Sequence, residues 1–346
     1  MKFPAMKNKK SFEMQFNWIF VLIIGAAILL FFASIIFKQK NLSDVTSKTE
    51  LLRDIESLID GASVSLDTTN TIALSKSNMD ISCNKISIGG TSKQYQNLIL
   101  FAPSSIKGNT LVSQTLAFSI PYRSANLLYM TSQQVRYILI GNSDLAREIN
   151  KTVPNELSKE KYSSYDESKI KDLNNYKVRF VFTDSNLPSN VPASLLKMPD
   201  SDVTALKISG DNQKGTLEFY QKNNNAWASK GSSVYIKMPS LIGAIYTDKE
   251  ELYFCNMQNV FSRAKIVTTV YNDRTNQIAN VASTGSDCKK AYINALPKLN
   301  IIRDSLSNLT TARTFDIANA DKIISSSKDI STQNKEAQKF SCPTIY

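Results

Sequence analysis

Four cysteines carry the most specific chemistry in this chain: Cys83, Cys255, Cys288 and Cys342. All follow a long apolar run near the N-terminus, and an even number of thiols beyond a membrane anchor points to disulfides in an oxidising compartment. A metal site built from four thiolates would usually show CxxC pairs, and there are none. Three pairings exist for four cysteines. The spacing favours Cys255–Cys288 and Cys83–Cys342. Cys255 lies near the start of one predicted helix and Cys288 near the start of the next. A returning loop would then close a ring of about 33 residues, worth on the order of 3–4 kcal/mol. The Cys83–Cys342 bond would tie the C-terminal tail back and resist fraying.

Other reactive constellations are weaker. The chain has no histidine, which removes Ser-His-Asp and Cys-His catalysis, His-ligated zinc and HExxH proteases. No GxSxG, Walker A or GxGxxG pattern occurs, and Gly89-Gly90-Thr91-Ser92-Lys93 reads as a tight turn. Ser-x-x-Lys recurs at Ser104/Lys107, Ser158/Lys161, Ser194/Lys197 and Ser325/Lys328 without the companion motifs of a Ser-Lys acyltransferase. The acid pairs Asp166-Glu167 and Glu250-Glu251 read as loop or helix-start charges. No catalytic, cofactor-binding or metal residue is assigned, and no cofactor is implied. Trp227, in the polar tract Gln221 to Lys230, is a candidate exposed binding aromatic. Asn150 and Asn308 open Asn-x-Thr sequons suited to glycosylation, whereas Asn41 lies too close to the anchor.

The elements that would hold these residues begin with the anchor. Phe16 to Phe37 is free of charge and, as a helix, spans about 33 Å, matching a hydrocarbon core of about 30 Å. It exceeds a secretory h-region and lacks a polar cleavage zone, so an uncleaved anchor is expected. Lys2, Lys7, Lys9 and Lys10 precede it, against Lys38 and Lys40 after it. The positive-inside rule therefore puts the N-terminus in the cytoplasm and the remainder outside. The predicted organisation is a basic tail at 1–15, the span at 16–37, a juxtamembrane helix within 38–66, a strand-rich region at 67–240 and a helical region at 241–346.

The stretch KKSFEMQF, with Lys9-Lys10 and Glu13, resembles a type IV pilin-like signal, with Ser11 where that signal has a glycine. The FNWIF start of the anchor (Phe16 to Phe20) and the end Ser341 to Tyr346 make the whole chain similar to archaeal single-pass membrane-anchored surface proteins. That resemblance implies a location and an architecture. It carries over no activity and no catalytic residue.

Within the outer part, Leu51, Leu52, Ile55, Leu58 and Ile59 have helical spacing, with Gly61 as a stop. Such a helix either docks on its own domain or packs on neighbouring copies. Strand runs are expected at Asn97 to Phe101, Leu116 to Ile120, Asn126 to Met130, Val135 to Ile140, Val178 to Phe182, Val203 to Ile208 and Leu217 to Tyr220. Ser143-Asp144 opens a helix after one of them, and Lys151 to Asn175 is polar and reads as loop-rich. Later, Asp248 and Glu251 have capping-box spacing, a helix opens near Asp287, and Pro297 is expected to interrupt it. The fold class is α+β with some α/β character.

The net charge of +11 is spread over scattered lysines, a solvated surface with at most weak attraction for an anionic cell wall or glycan. Nucleic acid is not an expected partner. The expected partners are the lipid bilayer through Phe16 to Phe37, other surface proteins, glycans, or a second copy through the N-terminal helix. The chain thus reads as a non-enzymatic, membrane-anchored surface protein for binding or assembly, pilin-like in one form. The alternative is an anchored envelope hydrolase using carboxylates or a Ser-Lys pair.

Overall fold

The computed structural model describes residues 22–34, 49–61, 65, 67–74, 78–171 and 173–346. The chain divides into two units, Met1–Asp54 and Ile55–Tyr346. In the first, residues 22–34 are helical with exposed side chains such as Leu29 and Leu30. Among the described residues no helix is long and apolar enough to cross a membrane. The basic tail, residues 16–21 and 35–37 of the predicted span, Lys38, Lys40 and Asn41 lie outside the described residues.

Helix α1 covers residues 49–61, where leucine and isoleucine recur at helical spacing. Nine strands follow: β1 (Thr69–Ala73), β2 (Met79–Ser82), β3 (Lys85–Ile88), β4 (Thr91–Gln94), β5 (Leu100–Phe101), β6 (Ser105–Ile106), β7 (Thr110–Ser119), β8 (Arg123–Ser132) and β9 (Val135–Ile140). Then come α2 (Asp144–Thr152), β10 (Ser158–Tyr162), β11 (Lys177–Phe182), β12 (Val203–Gly210), β13 (Lys214–Asn223) and β14 (Ala226–Ile236). The chain closes with α3 (Lys237–Tyr246), α4 (Glu250–Val281), α5 (Asp287–Thr311) and α6 (Ile317–Lys339). The result is α+β with three sheets.

The largest sheet has six strands in the order β10-β9-β11-β12-β13-β14. Its first four are mutually parallel and the last two antiparallel. Strands β9 and β11 are buried along their whole length, because a parallel sheet is covered on both faces. Tyr137, Leu139 and Val181 join the main core on one face. Ile138, Ile140, Phe180 and Phe182 form a second core on the other, roofed by Ile170, Val191 and Leu195. This sheet carries the α/β character: β9, α2 and β10 make a strand–helix–strand unit, with Ser143 capping α2 by accepting from the Ala146 amide.

Two four-stranded sheets, β1-β7-β8-β5 and β4-β3-β2-β6, complete the strands. Helix α3 sits between sheets, touching β7 and β8 on one side and β13 and β14 on the other. Every residue from Ser240 to Tyr246 is therefore buried. Gly243 permits this: a β-carbon there would stand 2.6 Å from the Phe101 ring. Helices α4, α5 and α6 pack in succession, α4 against β8 and α6 against β13 and β14.

Several expectations need correction. Helix α5 runs through Pro297 without a break. The proline is exposed, and the carbonyl it leaves without a donor belongs to Ile293, itself on the exposed side. Lys151 to Asn175 is largely loop but also contains β10, an edge strand whose polar sequence hides its pairing with β9. Asp248 does not cap α4; Lys249 stands at the N-cap position, and the Asp248 carboxylate is engaged elsewhere.

The disulfides also differ. The bonds are Cys83–Cys255 and Cys288–Cys342, with Cα separations of 5.9 and 5.6 Å. Cys255–Cys288 is excluded by length. The 32 residues of α4 span about 48 Å, so its two ends cannot meet. Because α6 returns along α5, its C-terminal end arrives beside the start of α5, and Cys342 meets Cys288 there. Cys83, in the β2–β3 turn, meets the first turns of α4 instead.

Candidate functional site

Three places bring polar chemistry together. The first is a buried charge cluster at the end of α3. Alternation along β11 sends Lys177 and Arg179 to the same face, toward α3. The Arg179 guanidinium donates to the carbonyls of Ala244 at 3.0 Å, Thr247 at 2.7 Å and Ala205 at 3.3 Å. It thus serves the open carbonyls of α3's last turn and lies 5.4 Å from the centre of the Phe219 ring. Burial pushes its pKa down to about 10, against the opposing pull of Asp248, so it stays charged at neutral pH. Lys177 donates to the Asp248 carboxylate, and both side chains are nearly fully buried. Asp248 also accepts from the Ser104 amide at 2.7 Å and the Ser104 hydroxyl at 3.1 Å. Burial pushes the Asp248 carboxyl up; Lys177, the Ser104 amide and Arg179 outweigh it and hold it below the usual carboxylate range.

Ser, Lys and Asp therefore converge, but not as a nucleophile and its base. A Ser-Lys pair needs the lysine amine at the serine hydroxyl. Here that hydroxyl donates to a carboxylate, and the same carboxylate holds the lysine. The cluster fastens β11, α3 and the loop before β6.

The second place is the C-terminal edge of β9 and β11, where strand order reverses and α/β sheets commonly bind ligands. The backbone amides of Asn142 and Ser143, at the start of α2, both donate to Asp184, at 2.9 and 2.7 Å. A carboxylate of the chain itself fills the seat that a phosphate takes in nucleotide-binding folds. Gly141, at φ 152°, allows the close approach; a β-carbon there would collide with Thr183.

The third place is a cleft of about 230 Å³ beside α1, lined by Ile59, Asp60, Tyr95, Gln96, Asn97, Leu98, Ile99, Asn126, Leu128 and Arg263. One wall is the loop between β4 and β5, and asparagines hold it rigid. Asn84 accepts from the Tyr95 amide through its carbonyl at 2.8 Å and from the Leu98 amide through its side chain at 3.0 Å. Asn259 donates to the Leu98 carbonyl at 2.8 Å, and Asn256 accepts from the Leu100 amide at 2.9 Å. The Cys83–Cys255 bond lies next in sequence to two of these residues, Asn84 and Asn256. The buried phenol oxygen of Tyr95 has no hydrogen-bond partner among the described residues. Burial, then Glu56 and Asp60, raise its pKa, so it remains a protonated donor. A second cleft of about 190 Å³ follows the other flank of α1, past Ser57, Leu58 and Gly61.

The residues singled out in the sequence are dispersed. Trp227 is not an exposed loop tip. It belongs to β14, its ring packs edge-on against Phe180 at 5.7 Å, and its indole N–H is buried. Asn308 is exposed in the last turn of α5, whereas Asn150 is half-buried in α2. Asp166 caps a short turn and pairs with Lys169, and Glu167 accepts from the Ala193 amide. The acids Glu250 and Glu251 open α4. Ser194 donates to the Ile170 carbonyl and Ser325 to that of Lys322, so neither hydroxyl meets its spaced lysine. Gly89 and Gly90 form the β3–β4 turn at positive φ. Sequence reasoning missed Lys177, Asp248 and the cleft, whose parts lie some 200 positions apart and share no local motif.

Comparison with protein-family models, curated proteins and solved structures finds no match.

Proposed function

We propose that this is a membrane-anchored surface protein that works by binding or assembly outside the cytoplasm. The observation that carries the reading is the pairing of all four cysteines into two bonds. Such bonds persist in oxidising compartments, and each one here joins distant parts of the domain that follows the apolar run. The charge-free stretch Phe16 to Phe37 and the lysine excess before it support an anchor with the N-terminus inside. The binding role draws support from the contrast between sites. The polar groups near Asp248 and Asp184 are spent on internal hydrogen bonds, whereas the cleft beside α1 has a wall held by asparagines and a buried phenol without a hydrogen-bond partner among the described residues.

Protease added to intact cells, combined with thiol trapping before lysis, tests the reading. The expected outcome is digestion of the region after Lys40 with all four cysteines already oxidised. Protection of the large domain until the membrane is opened would remove the surface assignment. A serine-based hydrolase would instead depend on Ser104, whose hydroxyl shares the Asp248 carboxylate with the buried Lys177. Loss of a hydrolytic activity in Ser104→Ala would therefore favour the enzymatic alternative.

A further inference from the structure

We infer that the cleft beside α1 binds a single carboxylated sugar unit, the terminal residue of an acidic glycan. This rests on the reading of the protein as a surface binding module. At about 230 Å³ the cleft holds the volume of roughly eight waters, below the range of drug-sized pockets, and is suited to one sugar ring. Its lining carries one carboxylate, Asp60, which already has a partner, and one guanidinium, Arg263; the other side chains are uncharged. Gln96 and Asn97 each present an amide with donors and acceptors, matching the hydroxyls of a sugar. The Tyr95 phenol supplies a further buried polar atom that has no partner among the described residues.

Arg263 gives the ligand its charge. It lines the cleft from an exposed position on α4 and makes no ion pair among the described residues. A guanidinium that no carboxylate among the described residues holds offers a fork-shaped seat for one. It lies two turns along α4 from Asn256 and one from Asn259, the residues that hold the opposite wall. The two walls are thus fixed relative to each other by the Asn84, Asn256 and Asn259 hydrogen bonds and the Cys83–Cys255 bond. A cleft rigid before the ligand arrives loses less entropy on binding, which small polar ligands require.

The experiment uses the full chain in detergent micelles, oxidised, with saturation-transfer NMR of sodium glucuronate, glucose and glycine. Glucuronate is expected to bind, glucose at least several-fold more weakly, and glycine not at all. Arg263→Gln should weaken glucuronate about tenfold and leave glucose unchanged, and Gln96→Ala should weaken both sugars. Near-ultraviolet circular dichroism checks that these surface variants keep the fold. Absence of transfer to either sugar at tens of millimolar, equal affinity for glucose and glucuronate, or an unaltered glucuronate affinity in Arg263→Gln would each overturn the inference. Cell topology is read separately, so a failure here leaves the surface assignment distinguishable.

Discussion

At the scale of single residues, the Lys177–Asp248 pair makes the sharpest demand. Both side chains are almost wholly buried, so removing one partner leaves an uncompensated charge in the interior. Lys177→Met is expected to lower unfolding free energy by about 3–5 kcal/mol, read by chemical denaturation. The double variant Lys177→Met/Asp248→Asn should cost less than the sum of the two single changes. The same pair imposes a pH dependence. Asp248 has a folded pKa below its unfolded value, so its contribution is complete above the ordinary carboxylate range near about 4. That contribution is lost as pH falls through the folded pKa. The stability of Asp248→Asn should therefore fall less on acidification than that of the natural protein, and an identical acid slope would count against the pairing. None of this was legible in the sequence. Lys177 and Asp248 are 71 positions apart, and each has an innocuous local reading, as a strand flank and a helix cap.

At the scale of elements, legibility depended on whether a segment's pattern was local. Val135 to Ile140 was readable as a strand to the residue, because both faces are buried and the run is continuously apolar. The helix from Asp287 declared itself by its opening, and α4 by the Asp248/Glu251 spacing near its start. Strand β14 was hidden because Ser229 to Ser232 lie exposed at the sheet edge, where lysine and glycine read as loop. Pro297 was misleading in the opposite direction: on an exposed face, the carbonyl that proline abandons stays open to solvent. Proline in a helix interior costs about 3 kcal/mol relative to alanine. Pro297→Ala is thus expected to raise stability by about 1–3 kcal/mol, measured by urea denaturation, and a loss of stability would mean that the packing of α5 on α4 and α6 requires a bend there. The tail shows the same dependence on context. Ile345 is fully buried, and the amides of Ile345 and Tyr346 both donate to Asn334. The Tyr292 hydroxyl donates to the Pro343 carbonyl, so the six residues from Ser341 form a docked segment rather than a frayed end.

At the scale of the whole molecule, the two bonds close loops of 172 and 54 residues that do not overlap in sequence. In the chain-entropy model they contribute about 5 and 4 kcal/mol, and with separate loops the two contributions add. Their sum of about 9 kcal/mol is comparable to the entire stability of an ordinary domain, about 5–15 kcal/mol. Folding of the domain is therefore tied to the redox state of the compartment in which it resides. Removing one bond, as Cys288→Ser/Cys342→Ser, should cost about 2–5 kcal/mol and release the tail to proteolysis first. The cysteine pairing was only half visible in the sequence: the even count gave the chemistry, but the partners depend on the length of α4 and the return path of α6. A chain carrying residues 41–346, made in a reducing cytoplasm, should accordingly be largely unfolded or protease-sensitive. It should recover native near-ultraviolet circular dichroism on oxidation, with Cys83–Cys255 and Cys288–Cys342 peptides in the unreduced digest. Disulfides also occur inside some hyperthermophile cells, so this redox dependence is read alongside protease access in intact cells. A reduced chain that folds as firmly as the oxidised one would show that the core alone suffices, and the bonds would lose their force as an argument for export.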